Sequence, residues 1–303
     1  MTNQYDVIIV GGGPAGLSAA IYSARAKLKT LLIESAACGG HLIITDRIEN
    51  YPGFPQGING FDLAMQLEDQ AKEFGAEIII DEIVEVRDGA VKTITTTTNV
   101  YKAAAVIVAA GTQVKQLNVP GEREFVGKGV SYCAVCDAPF FRGKAVAVIG
   151  GGDSALQEAI YLTKFAGRVT IIHRRDKLRA GKSLVDKFLS LPNAEIIYNA
   201  TIDAIAGADK VNKAVIKNLE GVKSDLLVDG VFVFIGLVPN SGLFSFLALD
   251  ENGYIITDEN MKTSKKGFFA CGDIRKKSLR QIVTAASDGA IAAMSVEKYV
   301  EEL

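Results

Sequence analysis

The sequence predicts an α/β protein built from two three-layer, doubly wound domains, the second inserted into the first. Three observations predict it. A strand–glycine turn–helix–strand unit opens the chain, the same unit recurs 139 residues later, and a half-domain pattern near the C-terminus has no counterpart in the second copy. A length of 303 residues also suits two domains better than one, at roughly 100–200 residues each.

The first unit begins with residues 5–10 (YDVIIV), a short apolar run rich in β-branched residues. The turn 11–16 (GGGPAG) follows, then an alanine-rich helix to about residue 27, a strand at 30–33 (TLLI) and Glu34. The change from apolar run to helical spacing and back marks a βαβ unit with parallel strands. In the second copy, 145–149 (AVAVI) is the strand and 150–155 (GGGDSA) the turn, with a helix to about 166 and a strand at 169–172 (VTII). Gly11, Gly13, Gly16 and Glu34 of the first copy correspond to Gly150, Gly152, Ala155 and His173 of the second. A constant offset through turn, helix and next strand points to two copies of one fold. Two more apolar runs, 105–110 and 231–235, end in Gly111 and Gly236 and close each sheet near its ligand. The tract 93–98 (TITTTT) reads as an antiparallel strand. After Pro239 come 267–273 (GFFACGD) and a helix over about 279–299, the returning half of the first domain. The expected domains are thus 1–113 with 241–303, and 114–240, with proline–glycine crossings near Pro120-Gly121 and Pro239-Asn240.

A net charge of -2 and a pI of about 5.9 give no electrostatic reason to expect a nucleic-acid or anionic-membrane partner. No apolar run reaches the roughly 18 residues that span a bilayer. The first residues lack a signal pattern, which makes the cytoplasm the expected location. Four cysteines in so long a chain are not a disulfide framework.

The first turn is G-x-G-x-x-G between a strand and a helix, where backbone N–H groups and the helix N-terminus receive a pyrophosphate. Glu34 stands where a carboxylate accepts hydrogen bonds from both ribose hydroxyls. In the second turn, G-x-G-x-x-A, that acid is replaced by His173-Arg174-Arg175, with Arg179 one turn on. Guanidinium groups bind a 2′-phosphate that a carboxylate would repel, so this copy is expected to prefer NADPH. Two dinucleotides in one chain point to a flavin, FAD, that receives hydride from NADPH, with NAD as the alternative first ligand. Cys133 and Cys136 form a C-x-x-C pair at a helix start, followed by Asp137. That spacing suits a disulfide and a stabilised thiolate, with Asp137 as proton donor and acceptor, its pKa raised by burial. The alternative, zinc, needs about four ligands, and Cys38, Cys271, His41 and His173 are single and scattered.

Taken together, GGGPAG, Gly39-Gly40 with ENYPG (49–53), CAVCD (133–137), GGGDSA, HRRDKLR (173–179) and Gly272-Asp273 with Arg280-Gln281 resemble the low-molecular-weight bacterial thioredoxin reductases, of the class II pyridine nucleotide-disulfide oxidoreductases, over nearly the whole chain. The resemblance implies an FAD domain interrupted by an NADPH domain carrying the redox pair, a homodimer, and large rotation between domains. It implies reduction of the thioredoxin disulfide, with Cys136 against the flavin and Cys133 attacking the partner. It assigns FAD to Gly11, Gly13, Pro14, Ala15, Gly16, Glu34, Ser35, Ala36, Cys38, Gly39, Gly40 and His41. Asn50, Val84, Ala110, Gly111, Thr112, Gly272, Asp273, Arg280, Gln281 and Ile282 complete that set. It assigns NADPH to Gly152, Asp153, Ser154, Glu158, His173, Arg174, Arg175, Arg179 and Gly236. The chain departs from the family at His41, where glutamine is usual, at Ala138-Pro139 after the cysteine motif, and at Lys128, where arginine often docks thioredoxin. Other readings are a thioredoxin-reductase-like flavoprotein serving a glutaredoxin-like or peroxiredoxin partner, a flavin dithiol oxidase, a ferredoxin-linked NADP reductase and an NADPH-sensing binding protein. The basic cluster speaks against the oxidase, and CxxC against the ferredoxin-linked enzyme.

Overall fold

The computed structural model describes residues 3–45 and 48–303. The chain divides into two compact units, Met1–Gln113 with Val238–Leu303, and Val114–Leu237.

The first unit opens with β1 (Gln4–Val10), α1 (Pro14–Arg25) and β2 (Thr30–Glu34). α2 (Gly60–Glu73) follows, capped by Asn59, whose side chain accepts from the N–H groups of Phe61 and Asp62. Then come β3 (Glu77–Ile80), β4 (Ile83–Arg87), β5 (Lys92–Thr96), β6 (Val100–Val108) and the short β7 (Thr112–Val114) at the first crossing. The threonine tract is a strand only as far as Thr96. β5 pairs antiparallel with β4 and β6, and the chain turns back through Thr97-Thr98.

The second unit contains β8 (Val130–Ser131), α3 (Ala134–Asp137), β9 (Ala145–Gly150), α4 (Asp153–Leu162), β10 (Arg168–Ile172) and α5 (Lys182–Leu189). It continues with β11 (Ala194–Ile197), β12 (Ala200–Gly207), β13 (Val211–Asn218), β14 (Lys223–Leu227) and β15 (Gly230–Phe234). After β16 (Leu237–Pro239) the first unit resumes with β17 (Phe268–Ala270) and α6 (Ile282–Glu301).

Both units carry the same sheet order. β3-β2-β1-β6 in the first, with β17 beside β6, matches β11-β10-β9-β15-β8 in the second, all parallel. Each also has a three-stranded antiparallel array: β4-β5-β6 and β12-β13-β14. Strands 1 and 2 of each copy are nearly continuous apolar runs because parallel sheets are covered on both faces. Apolar layers fill both faces of each sheet: Leu17, Ala20, Leu32 and Ile107 on one face of the first, Ile8, Leu31, Val106 and Phe268 on the other. In the second, Val148, Ile171 and Phe188 oppose Ala147, Ile172 and Val231.

α1 packs on α6 through small side chains, and Ser18 Oγ donates to the Ala286 carbonyl at 2.7 Å. The C-terminal segment therefore completes the first unit. The boundaries differ slightly from the sequence expectation. Val238, Pro239 and Asn240 belong to the first unit, because Asn240 donates from N and Nδ2 to Gly111 and Ala110 at 3.1 and 2.7 Å. Pro120-Gly121 lies inside the second unit, where the Pro120 carbonyl accepts from Ile205 N of β12. α1 and α4 end at Arg25 and Leu162, before residues 27 and 166, and α6 starts at Ile282, where Thr284 accepts from Gln281 N.

Candidate active site

In the first unit the glycine turn joins β1 to α1. Gly16 must be glycine because a Cβ there would collide with the Gly11 carbonyl oxygen, so the helix begins directly on the turn. Gly13 faces open space, leaving its backbone approachable. The Glu34 carboxylate, at the end of β2, accepts from Gly12 N and Ser35 N, both at 2.7 Å, and from Ala36 N at 3.3 Å. It thus ties the turn to the following loop, and Oε2 keeps a lone pair for a further donor. Gly39 N donates to the Gly12 carbonyl at 2.7 Å, which brings Gly39-Gly40 over the turn. Asp81 N donates to the Glu34 carbonyl, and exposed Val84 lies three residues beyond on β4. Cys38 packs against Gly12. Burial, with the Glu68 and Glu34 carboxylates, pushes its thiol up to about 12. Burial likewise pushes the fully buried Cys271 thiol up. Neither is a thiolate near neutral pH.

The other half of this site gathers around His41. His41 Nε2 lies 2.9 Å from the Thr112 carbonyl, and Asn50 Nδ2 donates to Gln281 Oε1 at 3.0 Å. Asp273 Oδ1 and Thr112 Oγ1 are buried without a hydrogen-bond partner among the described residues. Burial raises the Asp273 carboxyl, against Lys277, Arg280 and His41. Two orphaned polar atoms beside an N–H-lined turn form a polar cradle, and the cradle fits FAD. Arg280 stacks 4.2 Å over the Tyr254 ring. The Gly272 loop is held by a buried knot missing from the sequence expectations. Asp288 Oδ2 accepts from Gly272 N at 3.1 Å, Arg275 Nε at 2.8 Å and Lys277 Nζ at 2.7 Å. Burial pushes the Asp288 carboxyl up, but the bonds from Arg275 and Lys277 outweigh it and hold the group below its ordinary value. Only folding brings residues 272–277 against α6.

In the second unit Cys133 and Cys136 form a disulfide with Cα atoms 5.4 Å apart, and Cys133 Sγ accepts from Cys136 N at 3.2 Å. Ser131 Oγ, at the end of β8, donates to Asp137 Oδ2 at 2.6 Å and accepts from Cys133 N at 3.1 Å. Asp137 is half-buried. Just before the pair, Tyr132 OH donates to Glu122 Oε1 at 3.0 Å, and buried Glu122 also receives Leu117 N and Asn118 N at 2.8 and 2.6 Å. Nothing in the local sequence singled out Glu122. Glu158, on α4, accepts from Ala134 N at 3.1 Å.

The second glycine turn receives the basic loop. Arg179 N and Ala180 N donate to the Gly151 carbonyl at 2.7 and 3.0 Å, and Arg179 Nη2 lies 3.9 Å from where a Gly152 Cβ would stand. Asp153 Oδ1 accepts from Gly181 N at 2.8 Å. Arg174, Arg175 and Arg179 are exposed on the loop that follows β10, and Ser154 is exposed at the start of α4. His173 does not join them. It is buried against Gly151, Nδ1 3.0 Å from the Gly150 carbonyl and Nε2 3.1 Å from the Lys177 carbonyl, a brace between turn and loop. A Cβ on Gly151 would collide with its ring. Gly236 has φ 124° and lies against Lys115. The two glycine turns, the basic loop and the bridged cysteines are the parts that pyridine-nucleotide reduction of a disulfide requires.

Comparison with known proteins points the same way. Over 310 residues the chain is 51% identical to a thioredoxin reductase of Peptoclostridium acidaminophilum, covering 99% of this chain and 98% of that one. It is 48% identical to a thioredoxin reductase of Treponema pallidum (strain Nichols), covering 100% and 99%. The crystal structure of thioredoxin reductase from Streptococcus pyogenes MGAS5005 superposes with a TM-score of 0.95 at 43% identity, covering both chains fully. The family model for pyridine nucleotide-disulphide oxidoreductases matches residues 5–289, and with the glycine turns and cysteine bridge in place, this chain belongs to that family.

Proposed function

We propose that the protein is an NADPH-dependent thioredoxin reductase that uses FAD and the Cys133–Cys136 pair. The observation that carries this reading is the bridged CxxC inside a unit whose own glycine turn accepts the backbone N–H of Arg179, with Arg174 and Arg175 exposed on the same loop. FAD belongs to the first unit and NADPH to the second. When bound, the two supply the two-electron reductant of the disulfide. The chain's own groups do the rest. The glycine turns direct N–H groups at the pyrophosphates, and the arginines select the 2′-phosphate. Cys133 is the thiol that attacks the partner's disulfide and Cys136 the one that faces the flavin. Asp137, oriented by Ser131, holds and returns the proton. Thioredoxin or a thioredoxin-like protein is the substrate, the protein works as a homodimer, and its place is the cytoplasm. No helix among the described residues is long and apolar enough to cross a membrane.

Cys136→Ser tests the reading. The purified variant should keep its yellow flavin and its bleaching by NADPH, yet lose thioredoxin-disulfide reduction by several orders of magnitude. Retained turnover would sink the assignment.

A further inference from the structure

We propose that Glu158 is a positioning residue that sets the reducing power of the Cys133–Cys136 dithiol by placing a half-buried carboxylate beneath the cysteine segment. Its side chain reaches from α4 to α3, and Oε2 accepts the N–H of Ala134, the residue between Cys133 and the rest of the helix. Glu158 is half-buried, so water screens its charge less than at an open surface. Ala134 itself is fully buried, which fixes the contact within the second unit. Burial pushes the Glu158 carboxyl up, while the N–H groups of Ala134 and Val135 oppose that rise and favour the ionised form. Asp137, held by Ser131, is the other carboxyl at the pair.

The consequence follows from charge. Reduction of the disulfide breaks the S–S bond with two electrons and adds two protons, giving two thiols. Loss of one proton leaves a thiol and a thiolate. A helix start and its N–H groups stabilise the thiolate, and a stabilised thiolate makes the pair more oxidising. Glu158 occupies one of those N–H groups and adds a like charge, which disfavours the thiolate. The dithiol is therefore a stronger reductant than the backbone around it would make it. This role is separate from any contact with nicotinamide. It rests on the reading that the pair is the electron relay.

The test uses the intact flavoprotein, equilibrated without air in mixtures of reduced and oxidised dithiothreitol at fixed pH, then trapped with iodoacetamide. Mass spectrometry of the Cys133/Cys136 peptide gives the dithiol fraction. Glu158→Gln keeps an acceptor for Ala134 N–H but removes the charge. It should shift the dithiol/disulfide equilibrium about tenfold toward dithiol, about 30 mV. Glu158→Asp, which keeps the charge, should return most of that shift, and thermal melts of both variants confirm their fold. An unchanged equilibrium in Glu158→Gln overturns the inference, even if its KM for NADPH rises. So does an equal shift in Glu158→Asp, since charge is then not the cause. A wild-type pair that dithiothreitol never reduces would instead sink the relay reading itself, and the inference with it.

Discussion

On the proposed reading, residue identity carries most of the cofactor discrimination. Arg174 and Arg175 are exposed on the loop after β10, and each can give one or two charge-assisted bonds to a 2′-phosphate. At ~1.5–3 kcal/mol each, two such bonds correspond to roughly a hundred- to ten-thousandfold preference. Screening by water favours the lower end. Arg174→Ala with Arg175→Ala should therefore raise the KM for NADPH about a hundredfold and hardly move that for NADH. Steady-state kinetics with both cofactors decides it, and equal losses defeat it. The exposure of these arginines was readable from sequence, because a run of charges at the end of a strand faces water. His173, assigned with them, has in addition a structural role that the sequence does not show. Sequence shows a polar residue at that point but cannot show that its ring turns inward onto Gly151.

Elements are held in register by groups far apart in the chain. The Gly272–Ile274 turn, which carries Asp273, stands on Asp288 of α6 through Gly272 N, Arg275 and Lys277. Asp288→Ala leaves two half-buried cations without their carboxylate and should cost up to about 3 kcal/mol, read as a lowered Tm. It should also lower flavin occupancy in the purified protein. The pH dependence has a definite sign. A carboxyl held below its ordinary value of 3.8 stabilises the fold above that value. The gain is lost as pH falls through the folded value. Asp273, raised by burial, acts in the opposite sense and subtracts stability as pH climbs past 3.8. Acid melts of wild type and Asp288→Asn should therefore differ above pH 3.8 and converge as the pH falls below it through the folded value. Convergence at neutral pH would refute the sign. The Gly272-Asp273 turn was legible in the sequence, but its anchor Asp288 was not, because a carboxylate on a helix usually faces water.

The whole molecule is one fold written twice, with one copy interrupted. The second unit is continuous, with its own cores about Val148 and Val231. Val114–Leu237 expressed alone should melt cooperatively and bind NADPH. The first unit is completed only when β17 adds to β6 and α6 packs on α1. A chain ending at Gln113 should therefore stay unfolded, shown by a featureless thermal scan and an absence of flavin colour. A cooperative transition in that fragment would contradict the account.

The sequence by itself determined the two βαβ units, their glycine turns, the basic loop and the cysteine pair, because each depends on local spacing and side-chain chemistry. Tertiary structure alone decided that Asp288, Glu122 and Glu158 anchor those parts, and that His173 braces the second turn from inside. Their roles arise from burial and from partners distant along the chain, and burial is a property of the packed molecule that no short stretch of sequence records.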